Sequence, residues 1–290
     1  MNNQIALEPQ KQELLKSIVE DLQKIDGVVA IVLGGSYAEG LATPSSDMDI
    51  GIYYSENNPF DIAQIRSVAV KYSIKEPTVT DFYGWGPWVN GGAWITSKDG
   101  QVDFIYRNID QVSKTIDNAV DGKWENDFEQ QPPYGFSSII YLAETKVSIP
   151  LYDPYQYLHK LKERVENYPV KLKESVVSQS LWSAEFSIWQ ADIFSQKTDI
   201  FNMMGCFTRA IKSIITAIYS LNEIYPMGDK RAIERLALAE IKPQKLKEQV
   251  ENVLLLNRAS FSKNVDAIKS LHDEAVALAG PLYKKYFNLK

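Results

Sequence analysis

Between Glu8 and Ile25 the apolar residues Leu14, Leu15, Ile18, Val19, Leu22 and Ile25 recur at the spacing of one helix face. The run Val28-Val29-Ala30-Ile31-Val32-Leu33 is apolar throughout and of strand length, the pattern of a strand covered on both faces. Gly34-Gly35 ends it. A short helix is expected from Ser36, followed by a loop through Ala42-Thr43-Pro44-Ser45-Ser46. Asp47 to Tyr54 alternates as a second strand, Asp61 to Val70 reads as a helix, and Thr78 to Tyr83 reads as a strand. Trp85 to Gly92 is a loop rich in Gly, Pro and Trp. Ala93–Thr96 and Gln101–Arg107 are predicted as two strands joined through Ser97-Lys98-Asp99-Gly100, where Asp-Gly favours a tight turn.

After about residue 110 the pattern changes. Pro132-Pro133-Tyr134-Gly135 reads as a loop, and Pro150 to Pro154 as a boundary. Beyond it the period is helical, over Tyr155–Glu166, Lys171–Phe194 and Val265–Leu278. Its clearest stripe is Met204, Phe207, Ile211, Ile214, Ile215, Ile218 and Leu221. The expected fold is therefore an α/β (α+β) N-terminal domain with a mixed sheet, residues 1–150, followed by an all-α helical bundle, residues 151–290.

Composition narrows the class. With 290 residues, 45% hydrophobic and 11% aromatic, the chain can bury a conventional core, which excludes disorder as its main state. Lys and Arg number 31 against 37 Asp and Glu, for a net charge of −6. That balance argues against a nucleic-acid partner held by phosphate neutralisation. The single Cys206 forms no internal disulfide or thiolate zinc cage, which fits a reducing compartment. No apolar run approaches a membrane span, and Met1 to Pro9 lacks the pattern of a secretory signal. A soluble, cytoplasmic protein with no membrane partner is the expectation, and a homodimer is left open.

The chemistry concentrates in Leu33-Gly34-Gly35-Ser36-Tyr37-Ala38-Glu39-Gly40 and Ser45-Ser46-Asp47-Met48-Asp49-Ile50-Gly51-Ile52. The two glycines let backbone approach a ligand without a side chain in the way. Ser36 stands where a helix starts, so its hydroxyl and the first free amides face an anion. Asp47 and Asp49, two apart on a strand, share one face, while Met48, Ile50 and Ile52 take the other. Adjacent carboxylates repel unless a cation lies between them, and a divalent metal, Mg²⁺ before Mn²⁺, suits oxygen ligands and phosphate. Asp103 is a third strand acid flanked by apolar residues. Beside Asp47 and Asp49 it completes a set that could hold two metal ions for in-line phosphoryl displacement.

Other readings of these residues fail. An EF-hand loop would need Gly at Ile52 and Glu at Asn58, and a P-loop would need Lys at Leu41. A hydrolase nucleophile at Ser36, with His159 or His272 as base, would need several strands before the elbow, and only one precedes it. Both histidines read as surface residues. Trp85, Trp88 and Trp94 read first as packing the loop onto the core, with base stacking as the alternative.

An apolar strand, Gly35-Ser36, ten residues, Asp47-x-Asp49 and a distant third acid resemble the DNA polymerase β-like nucleotidyltransferase superfamily. Gly135 to Glu144, Leu151 to Pro154 and Leu221 to Tyr225 before Asp229-Lys230 resemble two-domain bacterial nucleotidyltransferase proteins. Their layout is similar to that of aminoglycoside and lincosamide nucleotidyltransferases. The resemblance implies transfer of a nucleoside monophosphate, AMP from ATP as co-substrate, to a hydroxyl of a small-molecule acceptor such as an aminoglycoside-like antibiotic. The alternatives are AMP transfer to a protein, as toxin-neutralising relatives do, or a non-catalytic nucleotide-binding module. It implies that Gly34, Gly35, Ser36 and Ser46 hold the nucleotide, that Asp47, Asp49 and Asp103 bind metal and act in catalysis, and that Lys230 contacts the triphosphate. Glu185, Trp189 and Asp192 fall on one helix face and read as a solvated acidic face, in which Glu185 is also the candidate general base. Arg209 and Lys212 read as surface or interdomain charges.

Overall fold

The computed structural model describes residues 7–256 and 261–287, so residues 1–6 of the N-terminal stretch read for a signal lie outside it. The chain forms two compact units, one of residues up to Asp117 with Tyr141–Asn167, the other of Asn118–Ile140 with the residues from Tyr168 on.

The first unit is built on a six-stranded mixed sheet. Its strands are β1 (Ala30–Leu33), β2 (Met48–Tyr54), β3 (Thr78–Val79), β4 (Gly92–Ser97), β5 (Gly100–Asn108) and, numbered β8 in chain order, Ile149–Tyr152. Their order is β3-β4-β5-β2-β1-β8, and β2 and β5 are parallel where the other pairs are antiparallel. One face carries Ile31, Leu33, Met48, Ile50, Ile52, Val102, Phe104 and Ile95, all buried. It packs on Leu14, Leu15, Ile18 and Leu22 of α1 (Pro9–Leu22) and on Ile65 and Ala69 of α3 (Ile62–Tyr72). Between β1 and β2 lies α2 (Gly35–Ala38), a single turn.

The opposite face is closed at one end only. Arg107 of β5 is buried there and meets Glu144 of α5 (Ile139–Val147) in a two-pronged pair, Nη2 to Oε1 at 2.8 Å and Nε to Oε2 at 2.9 Å. Its Nη1 also donates to the Val89 carbonyl at 3.1 Å. After β5 the chain continues into α4 (Ile109–Val120), and after β8 into α6 (Tyr157–Val165).

Two expectations change. The strand expected over Thr78–Tyr83 shrinks to two residues, because Asp81 to Gly84 makes a turn with Tyr83 at φ 61°. The segment Pro150–Pro154 is no simple boundary: β8 pairs with β1, and the expected division at 150/151 falls inside that strand. Pro150 is tolerated because β8 is the sheet's edge, where one side of the backbone needs no ladder donor.

The second unit is helical. α7 (Val170–Gln196) and α8 (Ile200–Leu221) pack along their length with α11 (Phe261–Ala279) against both. α9 (Ala232–Leu236) and α10 (Leu246–Leu254) supply further core residues. A ribbon of β6 (Asn126–Asp127) and β7 (Phe136–Ser137) brackets the Pro132–Gly135 loop. The stripe read on α8 is buried at Phe207, Ile211, Ile214, Ile215, Ile218 and Leu221.

His272 is a correction: it is fully buried rather than on the surface, its Nε2 3.1 Å from the Leu181 carbonyl. It continues the Ile268, Leu271 and Ala275 stripe of α11, and burial lowers its pKa. His159 is exposed as expected.

In the first unit Asp21 ties α1 to α3, accepting hydrogen bonds from Lys71 and, at 2.8 Å, from the Tyr72 hydroxyl. Those donors, Lys71 foremost, hold its carboxyl down at about 2 against an ordinary 3.8. A depressed folded-state pKa stabilises above the unfolded value and loses that contribution as pH falls through the folded one. The stability gap between wild type and Asp21→Asn, on the order of 1 kcal/mol after solvent screening, should hold from neutral pH to about 4 and shrink below it. Urea unfolding at several pH values checks this, and a gap indifferent to pH down to 2.5 would refute it.

Candidate active site

β1 runs directly into the glycine turn. The Gly34 amide donates to the Asp49 carbonyl at 2.8 Å, extending the β1–β2 ladder one residue past the strand. Gly35 then takes φ +55°, and a Cβ there would lie 1.7 Å from Asp49 Oδ2. The second glycine is thus required twice, for its backbone and for the carboxylate pressed against it. Ser36 follows in α2, half-buried.

Asp49 and Asp103 are direct register partners on the parallel strands β2 and β5. Their side chains leave the same face of adjacent strands, whose backbones run about 4.8 Å apart, and both are half-buried. Gln101, two residues before Asp103, donates from Nε2 to its Oδ1 at 3.2 Å and accepts from Thr96 Oγ1 at 3.2 Å. The next strand contributes Trp94, the register partner of Asp103, which is 51% exposed and stacked on Trp85 at 5.0 Å. The row Asp49, Asp103, Trp94 therefore crosses three strands on the face that α5 leaves open. Trp88 is different, packing edge-on against Tyr141, whose hydroxyl donates to the Trp88 carbonyl at 2.5 Å.

Asp47 is exposed and stands one residue before β2, so only Asp49 of the pair lies on the strand proper. The Ser46 hydroxyl accepts from the Thr43 amide at 2.8 Å, within the loop. That loop is held by Lys11 of α1, which the sequence reading missed. Its buried ammonium donates to Tyr37 Oη at 2.9 Å and to the Pro44 and Ser46 carbonyls, each at 3.1 Å. A signal existed: Lys11 falls on the Leu14, Leu15, Ile18 stripe, where a lysine needs partners.

Among the described residues no group of three His, Cys, Asp or Glu side chains is gathered closely enough to hold a metal. In kind, the half-buried carboxylate neighbours Asp49 and Asp103 suit a hard divalent cation, with oxygen-only donors and a mutual repulsion that such an ion relieves.

Two expected site residues belong to the second unit. Lys230 is exposed, next to Asp229, which pairs with Lys212. Glu185 is no part of a solvated face: it is fully buried on α7. Its carboxylate accepts from the Tyr283 hydroxyl, from the Tyr286 amide at 3.0 Å and from the Phe287 amide at 2.6 Å. Asp192 pairs with Lys269 at 3.0 Å.

Residues 15–85 match the family model described as the nucleotidyltransferase domain. That span contains Gly34-Gly35-Ser36, Asp47 and Asp49, and stops before Trp94 and Asp103. This part of the chain is thus similar to a nucleotidyltransferase domain, and the match supports a nucleotidyltransferase activity there. A 1.90 Å crystal structure of a nucleotidyltransferase-like protein from Exiguobacterium sibiricum is similar over 94% of this chain and 78% of that one. Its TM-score is 0.49 and its sequence identity 10%. No curated protein matches the chain in sequence.

The Gly35–Asp49 contact can be separated from backbone strain. Gly40 also has positive φ, +71°, but a Cβ there meets nothing within 4 Å. Gly40→Ala should cost about 1–2 kcal/mol, the left-handed backbone alone. Gly35→Ala should cost clearly more, because the methyl must displace the Asp49 carboxylate. Equal losses in urea unfolding would show that Asp49 swings aside freely.

Proposed function

We propose that the protein transfers a nucleoside monophosphate, AMP from ATP, to a hydroxyl of a small-molecule acceptor and releases pyrophosphate. The observation that carries this reading is the alignment of Asp49 with Asp103 on adjacent parallel strands, with Asp49 against Gly35, where the nucleotidyltransferase domain match lies.

Gly34 and Gly35 keep side chains out of the space a triphosphate needs, and the Ser36 hydroxyl donates to a phosphate oxygen. Asp47, Asp49 and Asp103 would hold Mg²⁺. When bound, the metal neutralises phosphate charge and the repulsion among the acids. In the reaction the acceptor oxygen bonds to the α-phosphorus while the bond to the bridging oxygen breaks. Pyrophosphate leaves, and the acceptor proton passes to Asp103 or to solvent. Asp103 is held for this by Gln101, and the exposed ring of Trp94 offers a surface on which a substrate ring can stack. Most of the rate would come from positioning and charge neutralisation. Glu185 has no role in this reading, because three donors already occupy its buried carboxylate.

Thermal unfolding with a non-hydrolysable ATP analogue and Mg²⁺ tests the reading. Ligand at one hundred times its dissociation constant should add about 2.7 kcal/mol, only with metal and not in Asp49→Asn. Acceptors can then be ranked by pyrophosphate release. A folded wild type that no nucleotide stabilises would overturn the proposal.

A further inference from the structure

A cavity of about 740 Å³ lies wholly within the second unit, inside the size range of small-molecule sites. Five aromatic residues line it, among them Trp124 before β6, Tyr134 in the loop before β7, and Trp182 on α7. Where α7 and α8 meet, Ser183 and Ser213 also line it, their hydroxyls 3.3 Å apart. Each hydroxyl can donate and accept, so the pair can serve a polar ligand atom without leaving a lone partner unsatisfied.

The charges in the wall are Arg209 and Lys212, one helical turn apart on α8, and Glu125. Lys212 is committed: it pairs with Asp229, and its ammonium lies 5.6 Å from the Tyr134 ring centre. Arg209 is exposed and pairs with no carboxylate among the described residues. Its planar fork suits a carboxylate or phosphate better than a point charge would. Large aromatic surfaces beside one uncommitted guanidinium define a ligand with both features.

We propose that this cavity binds a small molecule consisting of a planar aromatic ring and one anionic group. The ring lodges among Trp124, Tyr134 and Trp182, and the anion meets Arg209. Glu125 opposes the anion and limits how many negative charges the site accepts. The proposal stands whether or not the first unit transfers nucleotides.

The test is isothermal titration of the full-length protein in EDTA with two matched pairs: indole-3-acetate against indole-3-acetamide, and AMP against adenosine. In at least one pair the anion should bind roughly tenfold tighter than its uncharged partner, the value of one charge-assisted contact. Arg209→Gln should erase that gap, Glu125→Gln should widen it, and Trp182→Ala should weaken both members. All four profiles should persist in Asp49→Asn, which separates this cavity from the nucleotide site of the first unit. A gap in the AMP pair identifies the ligand as a nucleotide, and a gap in the indole pair alone identifies an aromatic acid. Equal affinities within both pairs, a gap that survives Arg209→Gln, or no binding of any probe at millimolar concentration would overturn the proposal.

Discussion

The pairing of β2 with β5 governs the first unit. On its buried face Met48 stands against Val102, Ile50 against Phe104 and Ile52 against Tyr106. That apolar register leaves Asp49 beside Asp103 on the other face, although two neighbouring carboxylates repel. A slip of either strand by one residue would relieve the repulsion by sending that strand's acid into the core, which costs far more. Burial on one side thus enforces an unfavourable juxtaposition on the other. An arrangement of this kind is held by the fold and suits a cation or a polyphosphate bearing one.

The glycines and the Arg107–Glu144 pair follow from that constraint. Gly35 makes room for the Asp49 carboxylate, and Gly51, next on the same face, would carry a Cβ only 2.7 Å from Val32 Cγ2. Further along, the same face must stop being open, and α5 closes it over Tyr53 and Arg107. Arg107 is buried at a position where a lone charge would be costly, and Glu144 supplies both oxygens of its fork. The face is therefore polar and accessible at the acids and sealed beyond them.

Much of the candidate site could be read directly. Gly34, Gly35, Ser36, Asp47 and Asp49 lie within one short stretch whose spacing carries its own meaning. Asp103 was harder, because Asp99 and Asp110 are near it in sequence. The structure separates them: Asp99 lies in the β4–β5 turn, and Asp110 accepts from Ser55 Oγ at 2.8 Å and from the Glu56 amide at 3.0 Å. Lys11, Glu185 and His272 share one lesson. Each is polar on a helix stripe whose other members are mostly apolar, and each is buried with partners from distant segments. Helical spacing marks such a position as facing inward but does not say which groups will meet it.

Elements with a strong local period are legible in the chain alone: α1, β1, β2, the β4–β5 hairpin, and the long helices α7, α8 and α11. Side-chain alternation and helical repeat are properties of a few neighbouring residues, so no distant partner is needed to see them. It takes the folded chain to show that Ile149–Tyr152 joins the sheet beside β1, that β2 runs parallel to β5, and that Trp94 shares a row with the acids. Partner and register are chosen by what two remote segments bury together, and neither segment carries that sum alone.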